Sequence, residues 1–326
     1  MDFSDIIGHD KIINSLKNTI KNDTIAHGYL FKGPKTIGKT MVGLAFSKTL
    51  LCRKKGLEPC NVCKSCIQFD SNNHPDLHIE EPEGDSFKKE QIDEIQKEIR
   101  KLPYEGDRKI FILKSADTMT TQAQNSFLKT LEEPPKDTII IMTAINDRNI
   151  LPTIRSRSQI LKFSPVDKKV IEEFLVNRYN IDKNKAHMIS SFSSGVVGRA
   201  KEICESEEFN DIREGLINII KNNISNDSFK SFTTSKFFEE NKDKINDILD
   251  IMLTWFRDLL IYKQTSNGEL LINKDKVDLL TEQAFKLSTD KIHDIIDNII
   301  ETKDNISSNV NFQLSIELML LNLQEG

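Results

Sequence analysis

The chain has 326 residues, of which 38% are hydrophobic and 29% charged, and its formal net charge is −5. This length allows two or three domains, and no apolar run approaches the roughly 18 residues that a membrane span requires. The acidic start, residues 1–5, lacks the apolar segment of a secretion signal, so we expect a cytoplasmic protein with no membrane contact. The acidic balance gives no sign of bulk nucleic-acid binding, although it leaves room for a local basic surface.

Residues 28–31 predict a buried strand that leads into a phosphate-binding loop. The loop matches G-x-x-x-x-G-K-[ST] in full, and its members are Gly33, Pro34, Lys35, Thr36, Ile37, Gly38, Lys39 and Thr40. An apolar pattern after the loop predicts a helix, and this strand–loop–helix context makes the motif a credible nucleotide site. The backbone N–H groups wrap the phosphates, the lysine reaches the outer phosphates and the threonine faces Mg²⁺. The loop is competent to bind ATP or ADP with Mg²⁺, and its occupancy stays open.

Four of the five cysteines lie close together in the sequence, and they are Cys52, Cys60, Cys63 and Cys66. Four thiolates suit tetrahedral Zn²⁺ in a structural site that stiffens a loop. An iron–sulfur cluster is the competitor, but the Cys-Pro pair of the ferredoxin pattern does not follow the third cysteine. His74 or His78 is the alternative to Cys52 as fourth ligand, and four idle thiols are the remaining interpretation.

Strand and helix patterns alternate between the phosphate loop and about residue 163. We predict strands at 77–79, 110–113 and 139–142 and helices at 92–99 and 123–131. Such alternation is typical of an α/β fold, a parallel sheet with helices on both faces.

Helical patterns replace the strand patterns beyond residue 165. Residues 164–206 predict a small set of short helices, and residues 207–326 an all-α domain. Apolar residues at helical spacing form one stripe over 245–260 and a further apolar run covers 312–323. A bundle core is the favoured interpretation, and the width of the first stripe also suits contact with a neighbouring subunit.

The strand at 109–113 lacks the acids that ATP hydrolysis requires. Carboxylates at the end of a second strand normally hold the metal and orient the attacking water, but Lys114, Ser115 and Ala116 follow here. Asp117 lies three residues beyond the metal-binding position, and we predict that it caps a helix. Losing the acids lowers the rate by at least about 10²–10⁴, so we expect no meaningful intrinsic ATPase activity.

The segment at residues 125–135 reads NSFLKTLEEPP. Together with the phosphate loop, the cysteine cluster and Ser156-Arg157-Ser158, it resembles the AAA+ clamp-loader ATPases of bacterial DNA polymerase III. Four motifs occur in the family's order, and the resemblance covers most of residues 3–165. It implies an AAA+ nucleotide-binding domain at 1–163, a helical lid at 164–206 and a helical collar for oligomerisation at 207–326.

The resemblance also implies a subunit that is not a motor. Motor subunits of the family carry Asp-Glu eleven and ten residues before the asparagine that corresponds to Asn125. Those positions are Lys114 and Ser115 here, without any gap. The tail, residues 307–326, is also similar to tails found within the family.

Site residues follow from the same resemblance. It implies that Arg157 is an arginine finger, reaching the γ-phosphate held by a neighbouring subunit; a surface or salt-bridging arginine is the alternative. Arg199 corresponds to the family's second sensor of bound phosphate, and Asn146 is a candidate for the first. Ser158 replaces the usual cysteine beside the finger, and Thr36 stands where the family often has glycine.

The resemblance implies a hetero-oligomer with other clamp-loader subunits of the gamma/tau and delta types, acting on the sliding clamp and primed DNA. We therefore expect a non-motor subunit that helps to load the clamp and donates Arg157 in trans. One alternative is a catalytically active gamma/tau-type ATPase. Another is a stand-alone zinc-containing P-loop kinase acting on a small molecule.

Overall fold

The computed structural model describes residues 2–225, 231–308 and 310–324. They form two compact units, Met1–Ile171 with Gly195–Arg199, and Glu172–Ser194 with Ala200–Gly326. Among the described residues, no helix combines the length and the apolarity that a membrane crossing needs.

The first unit is built on a parallel sheet in the order β2-β3-β4-β1-β5. Its strands are β1 (Gly28–Lys32), β2 (Leu77–Glu80), β3 (Lys109–Leu113), β4 (Thr138–Ala144) and β5 (Gln159–Lys162). Every residue of β3 and β4 is buried. Uninterrupted burial is expected where helices cover both faces of a parallel sheet, and the predicted α/β class is confirmed.

Helices cover the two faces of this sheet. They are α1 (Asp10–Lys21), α2 (Lys39–Leu51), α3 (Lys64–Asp70), α4 (Lys89–Ile99), α5 (Thr121–Glu132) and α6 (Pro152–Ser156). Successive strand residues point to opposite faces. Phe111 therefore joins one core with α4 and α5, while Ile110 and Ile112 join the other with α1 and α2.

The strand register fixes which segments share an edge of the sheet. Lys32 at the end of β1 pairs with Ala144 of β4 and Lys162 of β5. The phosphate loop and the segments that follow β3 and β4 therefore lie at the carboxyl edge. Arg157 precedes β5 at the amino edge, where its carbonyl oxygen lies 3.3 Å from the Cβ position of Gly28. The two candidate sites consequently occupy opposite edges.

The remaining helices belong wholly or partly to the second unit. They are α7 (Lys168–Tyr179), α8 (Lys183–Phe192), α9 (Val197–Glu205), α10 (Glu207–Ser225), α11 (Ser231–Glu240), α12 (Ile245–Thr265), α13 (Val277–Lys286), α14 (Thr289–Ser307) and α15 (Phe312–Gln324). Helix α12 packs against α13 and α14. Its Trp255 is fully buried, and the indole Nε1 donates to Gln283 over 2.8 Å. The first apolar stripe therefore forms a bundle core.

Helix α15 is apolar on more than one side. Ile316, Met319 and Leu320 are buried. Leu314, Leu318 and Leu321 remain about half exposed, at 52%, 50% and 49%. Their spacing of four and three residues places them on one face of the helix. This unit therefore presents a leucine stripe that its own helices do not cover.

Candidate functional site

The phosphate loop contains three residues in backbone conformations that favour glycine. Gly33 has φ +159° and Gly38 has φ +111°. A Cβ at Gly33 would lie 2.6 Å from the carbonyl oxygen of Phe163, so no side chain fits there. Thr36 has φ +55°, which costs an L-residue about 1–2 kcal/mol. Thr36, which stands where the family often has glycine, therefore occupies a position at which glycine would relieve backbone strain.

Backbone N–H groups of residues 35–41 donate to no acceptor in the part of the chain that the structure describes. The loop carbonyl groups, by contrast, are engaged. Lys39 Nζ donates to the carbonyl oxygens of Gly33 (2.7 Å) and Pro34 (2.6 Å). The carbonyl oxygen of Ile37 accepts from His9 Nε2 over 2.9 Å. The loop thus keeps a set of amide donors for an anion, at the start of α2 where the helix dipole also favours one.

Lys39 is held inside the loop and is only 8% exposed. Burial lowers the pKa of this ammonium group to about 8, and the charge of Asp117 partly opposes the shift. A negatively charged phosphate group would stabilise the charged ammonium form of Lys39.

The end of β3 has a different chemistry from that of a hydrolytic site. Lys114 Nζ forms an ion pair with Glu81 Oε1 over 2.5 Å. Ser115 adopts φ +54°, and its backbone N–H donates to Thr143 Oγ1 over 3.2 Å. Neither position offers a carboxylate to a metal ion at the phosphate loop.

Asp117 does not cap a helix, so that prediction is wrong. Thr120 is the N-cap of α5, accepting from the N–H of Ala123 over 3.2 Å. Asp117 instead accepts from the N–H of Ile145 over 2.9 Å, and its other carboxylate oxygen is buried without a partner among the described residues. It therefore ties the turn after β3 to the segment after β4, within electrostatic range of Lys39.

The two candidate sensor residues have different surroundings. Asn146 is exposed, and its side-chain oxygen accepts from the N–H of Arg148 over 3.0 Å, which closes a local turn. Arg199 is half-buried and follows Gly198, whose N–H donates to the carbonyl oxygen of Thr36 over 3.1 Å. A Cβ at Gly198 would lie 2.5 Å from that oxygen. Glycine at this position is what lets the start of α9 approach the loop.

The ligand atoms of the four clustered cysteines lie within 4.8 Å of one another. Tetrahedral zinc–sulfur bonds of about 2.3 Å place sulfur atoms about 3.8 Å apart, so the group can hold a metal ion after a small contraction. Backbone N–H groups, that of Val62 foremost, lower the pKa of the Cys60 thiol to about 6. Burial raises the pKa of Cys66. A bound cation would favour the thiolate at both.

The histidines proposed as alternative ligands have other contacts. His74 Nε2 lies 2.9 Å from Ser65 Oγ, and its Nδ1 accepts from the N–H of Asp76 over 3.1 Å. The ring of His78 stacks on that of Phe111 with 4.6 Å between centroids. The fourth ligand atom near the other three sulfurs is that of Cys52.

Arg157 lies at the amino edge, just after α6. Its Nη2 is 2.9 Å from Glu132 Oε1, and its Nη1 donates to the carbonyl oxygen of Thr153 over 3.1 Å. The five residue-to-residue steps from Gly28 to Gly33 separate this edge from the phosphate loop by about 16 Å, at about 3.3 Å per step along a strand. Arg157 therefore cannot act on a phosphate bound by its own chain.

Some of these contacts had no signal in the sequence. His9, Asp117 and Glu132 each meet a partner that is distant along the chain. The tertiary fold brings those partners together. Glu132 does lie inside the NSFLKTLEEPP segment, so the motif pointed to the segment but not to the contact.

Comparison with known proteins gives the family. A family model described as "DNA polymerase III, delta subunit" matches residues 8–167, and one described as "DNA polymerase III, delta subunit, C terminal" matches residues 207–325. The DNA polymerase III subunit delta' of Bacillus subtilis is 34% identical over 320 residues, which cover 97% of this chain and 96% of that protein.

More distant relatives include a delta' subunit and a tau subunit of DNA polymerase III. The subunit delta' of Buchnera aphidicola is 28% identical over 95% of each chain. The subunit tau of Bacillus subtilis is 26% identical over 90% of this chain, but only 56% of that protein is covered. The chain belongs to the delta' family of DNA polymerase III clamp-loader subunits and has their AAA+ fold.

Proposed function

We propose that this clamp-loader subunit is not a motor: it binds nucleotide without hydrolysing it and donates Arg157 to the ATP site of a neighbouring subunit. The observation that carries this proposal is the separation of Arg157 from the phosphate loop, at opposite edges of one sheet. An arginine at that edge can serve only a phosphate that another chain holds. An arginine finger raises the hydrolysis rate by about 10³–10⁵.

The guanidinium of Arg157 suits this role chemically. It is always charged, and its planar fork matches the oxygens of a transferring phosphoryl group. Its side chain is 36% exposed, so a neighbouring chain can reach it.

Nucleotide binding is supported by the amide groups of residues 35–41 and by Lys39. We assign phosphate contacts to residues 33–40 and a sensing contact to Arg199, with Mg²⁺ beside Thr40. Slow hydrolysis follows from Lys114, which pairs with Glu81 where a metal-binding acid is needed.

We assign Zn²⁺ to the four clustered cysteines, with a structural role. The ion would supply a cross-link between the end of α2 and the start of α3, because Cys52 follows α2 and Cys66 lies in the first turn of α3. Four sulfur donors leave no coordination position for a substrate.

The partners in this proposal are gamma/tau-type and delta-type subunits, the sliding clamp and primed DNA, in the cytoplasm. The domain assignment stays at 1–163, 164–206 and 207–326, with the last as the oligomerisation collar. The half-exposed leucines of α15 support an interface there, because apolar side chains at helical spacing are what a partner helix buries.

Turnover by the purified chain tests the non-motor assignment. We expect ATP to bind and steady-state hydrolysis to stay at the buffer background. The likeness to the tau subunit favours the alternative, a working ATPase. Robust turnover that Lys39→Ala abolishes would establish that alternative and overturn the proposal.

A further inference from the structure

Arg157 is held at two points in the free chain. Glu132, the last residue of α5, faces one end of the guanidinium over 2.9 Å, and the carbonyl group of Thr153 in α6 accepts from the other end over 3.1 Å. Its Nη1 also lies 3.5 Å from Ser156 Oγ, and no hydrogen bond from its Nε is found among the described residues. One side of the guanidinium is therefore held in place, while N–H donors on its other side remain for a phosphate group.

Glu132 sits on a backbone that cannot easily move. The preceding residue, Leu131, is 1% exposed and belongs to the core between the sheet and α4 and α5. Gln96 of α4 ties α5 down further, because its Nε2 donates to Ser126 O over 2.9 Å and to Thr130 Oγ1 over 2.8 Å. A carboxylate on such a support restrains the long side chain that it pairs with.

The ion pair is too exposed to matter much for folding. The side chains are 36% and 46% exposed, and ion pairs this exposed contribute little to stability. An unrestrained arginine, however, loses much rotamer freedom when it engages a ligand. Substitution of Glu132 should therefore affect the orientation of the Arg157 side chain more than the stability of the first unit.

We propose that Glu132 is the positioning residue for Arg157: its carboxylate holds the guanidinium in the orientation that meets the neighbour's γ-phosphate. This inference rests on the proposed role of Arg157 in trans. In this inference Glu132 acts only through the arginine that it pairs with.

The test uses the assembly reconstituted with its motor subunits and measures DNA-stimulated ATP hydrolysis as a function of ATP concentration. For Glu132→Gln we expect kcat of the site served by Arg157 to fall by about threefold to tenfold, with KM for ATP unchanged, because the finger acts in the transition state. Glu132→Asp keeps the charge and should fall between wild type and Glu132→Gln. Glu133→Gln, the adjacent exposed glutamate, is the matched control and should behave as wild type.

The double variant Glu132→Gln, Arg157→Ala separates positioning from an independent role. We expect it to be no slower than Arg157→Ala alone; a further loss would overturn the inference. So would an unchanged or faster rate in Glu132→Gln, or a rate loss explained by less assembled complex in sedimentation. If Arg157→Ala itself leaves the rate unchanged, the trans role is wrong and the positioning role falls with it.

Discussion

Lys39 shows how one buried side chain prepares a site for an anion. Its ammonium group donates to two carbonyl oxygens of its own loop, yet its pKa is lowered to about 8 because burial removes water from the charge. A phosphate oxygen would supply the missing negative charge. Nucleotide affinity should therefore depend on the protonation of this residue.

We expect ATP to bind more weakly as the pH rises through about 8. Below that pH Lys39 is protonated and attracts phosphate, and above it the attraction is lost. Fluorescence titration with a labelled ATP analogue between pH 7 and 9.5 measures the effect. Lys39→Met should bind more weakly at pH 7 and show a flatter profile; an equally steep profile in this variant would assign the titration to another group.

The cysteine cluster makes a second prediction for single residues. Purified protein should contain one zinc ion per chain, and Cys63→Ser should lose most of it because a closed site needs all four thiolates. Elemental analysis by mass spectrometry gives the metal content. Cys204→Ser is the control, since Cys204 lies outside the cluster and its substitution should leave the zinc in place. Iron in stoichiometric amount would contradict the assignment.

The sequence predicted the residues of the phosphate loop and the cysteine cluster because each group lies in one short segment with a defined chemistry. Asp117 was misjudged, since its partner, the N–H of Ile145, comes near only through the pairing of β3 with β4. The contact between Glu132 and Arg157 is equally remote along the chain. Local sequence patterns show which functional group a residue contributes, whereas the tertiary fold determines which residues that group contacts.

At the scale of elements, hydrophobic patterns predicted β1 to β4 and the helices α2, α4 and α5, but not β5, α3 or α6. The predicted strand at 110–113 corresponds to β3, Lys109–Leu113, and the predicted helix at 123–131 to α5, Thr121–Glu132. The sequence did not show which face of α15 is exposed. Apolar residues occur around much of this helix, so only its packing shows which leucines the unit leaves exposed.

We expect Leu318→Glu to prevent assembly with the other clamp-loader subunits while the isolated chain stays folded. A carboxylate in the middle of the exposed leucine stripe would have to be buried without a partner at an interface. Size-exclusion chromatography with the partner subunits measures assembly, and circular dichroism measures folding. Leu270→Glu, at a similarly exposed leucine outside α15, should assemble normally. Normal assembly of Leu318→Glu would exclude the stripe from the interface.

At the scale of the whole molecule, one parallel sheet places two groups of functional residues at its opposite edges. The carboxyl edge holds amide donors and Lys39 without hydrolytic acids, and the amino edge presents Arg157 to the outside. Neither edge completes a hydrolytic site within this chain. Under the proposed function, catalysis depends on the juxtaposition of subunits, which the sequence of one chain indicates only through its resemblance to a family.

The central claim is tested most directly by single-turnover ATP hydrolysis in the assembly reconstituted with wild type or Arg157→Ala. Arg178→Ala, at an exposed arginine of α7, serves as the control. We predict that Arg157→Ala assembles normally but that hydrolysis at one site becomes at least about a thousandfold slower, as expected for a lost finger. An assembled complex that hydrolyses ATP at every site as fast as wild type would contradict the account.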